Sequence, residues 1–208
     1  MTYGGQMRRR SLPRVAAFLA ITTTASAVTL VGTPAVHAST GLEQYYAQSL
    51  QWSSCDDSRE CSTLLVPIDY ASPTSGDFRL ALSRARARGT KVGSIVVNPG
   101  GPGAEGTSFA EYAQSSLGTQ VAKSYDVIGF DPRGVGKSVP VTCLTGRQTT
   151  AWLRADATPD TPDEVTSYSA LAAGIGRGCL RYTPTRARNV GSEATVRDMD
   201  ILRAALGE

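Results

Sequence analysis

Ser94–Gly106, SIVVNPGGPGAEG, reads as a short apolar strand (Ile95, Val96, Val97) that stops in a turn of Asn, Pro and Gly. A continuous apolar run bounded by such punctuation predicts a strand covered on both faces. Gly100, Gly101 and Gly103 remove the side chains that would keep a ligand or a second backbone away from the peptide N–H groups. Pro99 and Pro102 stiffen the turn and lack a donor, which leaves the N–H groups of those three glycines as its main-chain donors. Thr107–Ser116 follows as a predicted helix whose N-terminus brings a positive dipole end to the same place. The turn is suited to holding negative charge.

Working outward, Tyr125–Phe130 (YDVIGF) is a second buried strand, followed by DPRGVGKS at 131–138. Strand, helix and strand within about forty residues make a βαβ unit, so the two strands should run parallel. Upstream, Thr63–Tyr70 (TLLVPIDY) carries Pro67 and is placed at a sheet edge. In Phe78–Ala87 (FRLALSRARA), Phe78, Leu80 and Leu82 alternate with Arg79 and Ser83, the pattern of a strand with one exposed face. Arg84, Arg86 and Arg88 read as a solvated face. Gly41–Leu50 is weakly helical.

Downstream, residues 147–188 are polar and rich in Pro and Thr, and read as a helical insertion over the sheet. Thr161 and Glu164 form a capping box around Pro162, and Val165, Tyr168, Ala172, Ile175 and Cys179 recur at helical spacing. Thr195–Leu206 is the last predicted helix, with Thr195 and Asp198 as a second capping box. Val196, Met199, Leu202 and Leu206 share one of its faces, and Gly207 ends it.

The chain has 208 residues, enough for one domain, with ordinary hydrophobic (41%) and charged (19%) content. Its net charge of +3 sits at the N-terminus. Arg8, Arg9, Arg10 and Arg14 precede an apolar run from Val15 to Val31, and Val36-His37-Ala38 offers a small-residue cleavage site. Residues 1–38 therefore read as a secretory signal peptide cleaved after Ala38, and the mature protein is expected to be secreted. Without those four arginines the rest is near neutral, which points away from nucleic acid or an anionic membrane as partner.

Export makes the four cysteines disulfide candidates. Sequence proximity favours Cys55 with Cys61 and Cys143 with Cys179 among the three possible pairings. Their irregular spacing and the lack of partner histidines argue against a metal, and no cofactor is expected.

Three chemistries fit a glycine turn after a strand. Gly101, Gly103 and Gly106 satisfy the dinucleotide-binding G-x-G-x-x-G, but Asp126, twenty residues beyond Gly106, starts the next strand where a ribose ligand should end it. Gly136-Lys137-Ser138 suggests a P-loop, but Asp131 stands where its first glycine belongs. The third is an oxyanion hole, one donor of which an α/β-hydrolase takes from the loop between its third strand and first helix.

On this third reading the motifs agree. NPGGPG, the strand end GFDPRGVGKS, the opening WSSC…CSTLLVPIDY and the helix RDMDILRAALGE together resemble the secreted actinobacterial tripeptidyl aminopeptidases and related prolyl-aminopeptidase-type α/β-hydrolases. The resemblance covers residues 41–208 and implies an α/β fold built as the N-terminal half of a hydrolase sheet: strands 1–4 with flanking helices, ending before the nucleophile strand. It implies a serine peptidase that takes short peptides such as tripeptides from free N-termini, with an esterase or lactonase as the related alternative. Gly101 would be the backbone oxyanion donor, beside Gly100 and Gly103, and the Gly101–Pro102 bond is a candidate for the cis form. Asp131 and Arg133 are expected to be structural, paired in a salt bridge.

The sequence departs from that family in one respect. G-x-S-x-G is absent; the near misses around Ser108 and Ser138 lack the closing glycine, and the only histidine is His37. With no serine elbow and no imidazole after the cleavage site, no nucleophile, acid or base is identified. The expectation is a fragment whose catalytic Ser, Asp and His lie in a missing C-terminal half needed for activity. From another class, the chain would be a non-catalytic secreted module that binds an anion at the glycine turn.

Overall fold

The computed structural model describes residues 41–56, 58–101 and 103–208; the expected signal peptide with His37, and Pro102 with its preceding peptide bond, lie outside them. Five strands form one sheet in the spatial order β1 (Ser53–Ser54), β2 (Glu60–Pro67), β3 (Asp77–Ala85), β5 (Tyr125–Phe130), β4 (Gly93–Val97). The first four pair antiparallel, and β4 runs parallel to β5. That parallel pair is joined by α2 (Gly106–Ser116) and α3 (Thr119–Ser124), the expected βαβ unit. Helix α1 (Glu43–Tyr46) is a single turn, shorter than the Gly41–Leu50 segment read as helical.

β5 is the centre of the molecule. It has a strand on each side, and every residue from Asp126 to Phe130 is buried. On one face Ile128 and Phe130 join Leu64, Val66, Phe78, Leu80, Leu82 and, from helix α7 (Ser192–Ala205), Ile201 and Leu202. Val127 packs with Ala85 and with Ala113 of α2.

β4 is only half-buried along its length, against the reading of a covered strand. Val96 reaches the first cluster and Val97 the second, so both faces are apolar, but β4 is the edge of the sheet. Apolar composition reports the faces of a strand and not its edges. The Pro67 reading holds better: Pro67 ends β2, which pairs with only two residues of β1 on its outer side. Beyond them the Gln48 side chain stands in for a strand, donating to the Leu65 carbonyl at 2.9 Å and accepting from the Leu65 N–H at 2.9 Å.

β3 keeps the alternation from Phe78 to Leu82, but Ser83 is buried and not solvent-facing, because α2 covers that end of the strand. Arg84 is likewise not a solvated residue. It lies over the Trp52 ring and pairs with Glu60 and Asp126, while Arg86 pairs with Glu60 and Arg88 is exposed.

Residues 147–188 hold most of α4 (Gly146–Leu153), then α5 (Pro162–Tyr182) and α6 (Pro184–Arg188), three helices where one was read. The Thr161–Glu164 capping box is present, and Thr145–Gln148 forms another on α4. α7 corrects its reading. It starts at Ser192 behind Gly191, with no side-chain cap, so Asp198 is an interior residue of the helix. Its buried face is Asp198, Ile201 and Leu202, while Val196 and Met199 are exposed. Gly207 does end it, at φ +79°, with the paired Glu208-to-Arg203 and Gly207-to-Ala204 bonds of a Schellman motif.

Both disulfides have the expected partners: Cys55–Cys61 closes the β1–β2 loop, and Cys143–Cys179 ties the chain after β5 to α5. Among the described residues no helix is long and apolar enough to cross a membrane, and no cluster of His, Cys, Asp or Glu is placed to hold a metal ion.

Candidate active site

The turn after β4 is exposed, and Gly100, Gly101 and Gly103 adopt φ of +83°, +141° and +90°. At Gly101 a Cβ would lie 2.7 Å from the Gly103 nitrogen and 3.0 Å from that of Ala104. The chain closes on itself there, so no residue larger than glycine fits, and none other favours that φ. Of the three expected donors one is already used: the Gly100 N–H donates to Asn98 Oδ1 at 3.1 Å. The N–H groups of Gly101 and Gly103 have no acceptor among the described residues.

The far end of the turn is fixed by contact with β5. A Cβ on Gly106 would fall 1.9 Å from the Phe130 carbonyl oxygen, and one on Gly129 2.0 Å from the Gly106 oxygen. Helix and strand backbones therefore touch with no side chain between them. Thr107, the next residue, is held at both polar atoms. Its N–H donates to Asp131 Oδ1 at 2.9 Å, and its carbonyl accepts from Ser83 Oγ at 2.5 Å and from Arg59 Nη1 at 2.8 Å.

Asp131 is fully buried at the end of β5, and its Oδ2 accepts from the Lys137 N–H at 2.9 Å. Its carboxylate joins the start of α2 to the loop after β5. The expected partner is wrong, however. Arg133 pairs with Asp198, through Nε and Nη2 at 2.6 Å each. Its remaining donors go to the carbonyls of Pro67, Ile68 and Asn189, and its guanidinium lies over the Phe78 and Tyr70 rings. The Tyr70 hydroxyl donates to Asp198 Oδ1 at 2.7 Å. Burial pushes the Asp198 carboxyl and the Tyr70 hydroxyl upward, while Arg133 draws both back. Removing either member of such a buried pair costs about 3–5 kcal/mol, because the other is left as an unpaired charge.

Neither near-miss serine is an activated nucleophile. Ser138 is fully buried, with Oγ donating to the Asp131 carbonyl at 2.6 Å and accepting from the Ala81 N–H at 2.8 Å. Ser108 is exposed, and its Oγ donates to the Glu105 carbonyl at 3.1 Å. The described residues contain no histidine. The arrangement can polarise a carbonyl or hold an anion at the N–H groups of Gly101 and Gly103.

Sequence reading missed Arg59, Thr107 and Asp198. Only Asp198 left a signal: an acid three and four residues before Ile201 and Leu202 falls on the buried stripe of a helix.

No family model matches the chain. It is 36% identical over 154 residues to a tripeptidyl aminopeptidase of Streptomyces coelicolor, covering 72% of this chain and 28% of that protein. It is 33% identical over 171 residues to carboxylesterase B of Mycobacterium tuberculosis, covering 76% of this chain and 33% of that protein. With serine protease Hip1 of M. tuberculosis it shares 31% identity over 217 aligned positions, covering 97% of this chain and 42% of the relative. The chain thus spans less than half the length of these relatives.

Proposed function

The chain belongs to the α/β-hydrolase serine peptidase family, and from that premise we propose that residues 41–208 are the oxyanion-turn part of an exported serine hydrolase that releases short peptides from free N-termini. The observation that carries the reading is the Gly101 N–H at the end of β4, which has no acceptor among the described residues and lies in a turn whose φ and packing admit only glycine there. In such an enzyme the carbonyl under attack rests against Gly101, and the developing oxyanion is stabilised by about 3–4 kcal/mol per donor. Nucleophile, acid and base come from chain beyond these residues. The open edge of β4 fits that assignment. The Glu208 carboxylate at the end of α7 reaches Lys91, and lies 3.7 Å from where a Cβ on Gly93 would be, beside the start of β4. A strand entering there would run parallel to β4 and bring its C-terminal end to the glycine turn. Carboxylesterase B among the relatives supports a second reading, an esterase with the same oxyanion turn.

Labelling by a fluorophosphonate probe tests the assignment. The 208-residue chain is expected to show no labelling and no cleavage of tripeptidyl chromogenic substrates. Read on past codon 208, the coding sequence should supply G-x-S-x-G, and the longer product should label at one serine. Faster turnover of tripeptidyl amides than of aryl esters favours the peptidase; the reverse favours the esterase. In the longer product, Gly101→Val should lower kcat about 10²–10³-fold. Stoichiometric labelling of Ser108 or Ser138 in the 208-residue chain would overturn the proposal, and absence of the serine motif downstream would favour a non-catalytic anion-binding module.

A further inference from the structure

The start of α2 is held from an unexpected direction. Ser83 and Asp131 are its neighbours in the sheet, but Arg59 reaches Thr107 from a hairpin loop 48 residues away in sequence. That loop is closed three times over. Ser53 pairs with Cys61 and Ser54 with Glu60 in the β1–β2 ladder, Cys55 is bonded to Cys61, and the Cys55 N–H donates to the Arg59 carbonyl at 3.2 Å.

Within it the Asp56 carboxylate gathers the chain. Oδ1 accepts from the Ser58 N–H at 3.0 Å and the Arg59 N–H at 2.8 Å, while Oδ2 accepts from Arg59 Nε at 2.8 Å and also from Nη2. The guanidinium is thereby gripped along one edge, and only Nη1 is left to point outward. It donates to the Thr107 carbonyl at 2.8 Å. The guanidinium beside Asp56 holds its carboxyl down at about 2, so the pair stays charged over the working range of pH.

An arginine fixed in this way differs from an ordinary surface ion pair. A lone exposed pair contributes little, since two long side chains must be ordered to make it. Here the ordering is shared with the disulfide and the ladder, and Nη1 of the planar fork has a single direction in which to donate. Thr107 is one residue beyond Gly106 and four beyond Gly103, so a shift of its carbonyl moves the end of the glycine turn. We infer that Arg59, presented by the Cys55–Cys61 loop, is a positioning residue for the glycine turn, acting through the Thr107 carbonyl. Its consequence for catalysis rests on the oxyanion reading of Gly101; its placement of the turn does not.

Selective ¹⁵N-glycine labelling of the 208-residue chain reads that placement directly. In Arg59→Ala the amide cross-peaks of Gly101, Gly103 and Gly106 should shift or broaden. Those of Gly174, Gly176 and Gly178 in α5 should stay where they are. Asp56→Asn, which frees the guanidinium without removing it, should move the same three peaks in the same direction, and serves as the test if Arg59→Ala fails to fold. Coincident turn peaks in the variants overturn the inference, and so does a shift spread equally over α5, which would make Arg59 a general support of the fold. The spectra need no substrate or probe, so their failure leaves the hydrolase assignment standing, and a failed labelling experiment leaves the spectra meaningful.

Discussion

The smallest unit that matters here is a pair of hydrogen atoms. Gly106 and Gly129 have no side chains, and that lets the first turn of α2 rest on the backbone of β5. A methyl group at Gly129 would meet the Gly106 oxygen at 2.0 Å, its carbonyl carbon at 2.8 Å and the Ala110 Cβ at 3.2 Å. None of these is the free end of a flexible side chain, so helix and strand must separate. Gly129→Ala is expected to destabilise the chain by about 3 kcal/mol or more, read as a lowered urea midpoint at low protein concentration; a midpoint unchanged from the parent contradicts the contact. Residue-level reading recovered these glycines only in part: Gly106 stood out in the turn, whereas Gly129 gave no sign within YDVIGF.

At the scale of elements, the caps separate what is local from what is not. Thr161 and Glu164 lie within one helical turn, and their box forms as read, with Glu164 Oε2 accepting from the Thr161 N–H at 2.9 Å. The Thr161 hydroxyl and backbone N–H hold the Glu164 carboxyl down from the ordinary 4.5 to about 2. A carboxyl with a depressed folded value stabilises the native state above its unfolded value. That contribution is lost as pH falls from the unfolded value through the folded one. The Thr161 amide shift should therefore stay constant from about pH 5 to about pH 3 and move only near 2, whereas an inflection near 4.5 would contradict the box. Glu164→Gln should keep the cap and abolish the titration. The same pattern misled at Thr195 and Asp198, because the aspartate had a better partner in Arg133, sixty-five residues away in the chain.

Within the described residues, the decisive feature is the edge of β4, which no other strand covers. Five half-buried residues, Gly93–Val97, contain no charge or proline, and Val92 beside them is 66% exposed. An apolar edge of this kind is a template for pairing with another chain. Sedimentation of the 208-residue chain should show concentration-dependent association; a monodisperse monomer with a sharp cooperative melt would contradict it. A covering strand from the longer hydrolase should suppress the association.

Sequence alone determined the parallel βαβ unit, the glycine turn, the capping box of α5 and the family, because each rests on residues close in the chain or on motifs in fixed order, and it favoured the disulfide pairing that the structure then shows. Tertiary structure alone decided which side chains meet. Arg133 found Asp198 and not Asp131, Arg59 found Thr107, and Ser83 turned inward under α2. The physical reason is that a charged or polar group entering the interior takes whichever partner offsets the loss of water best, and that partner is fixed by the packing of sheet against helix. Spacing in the sequence reports the repeat of a helix or a strand, but not which of two surfaces will close over it.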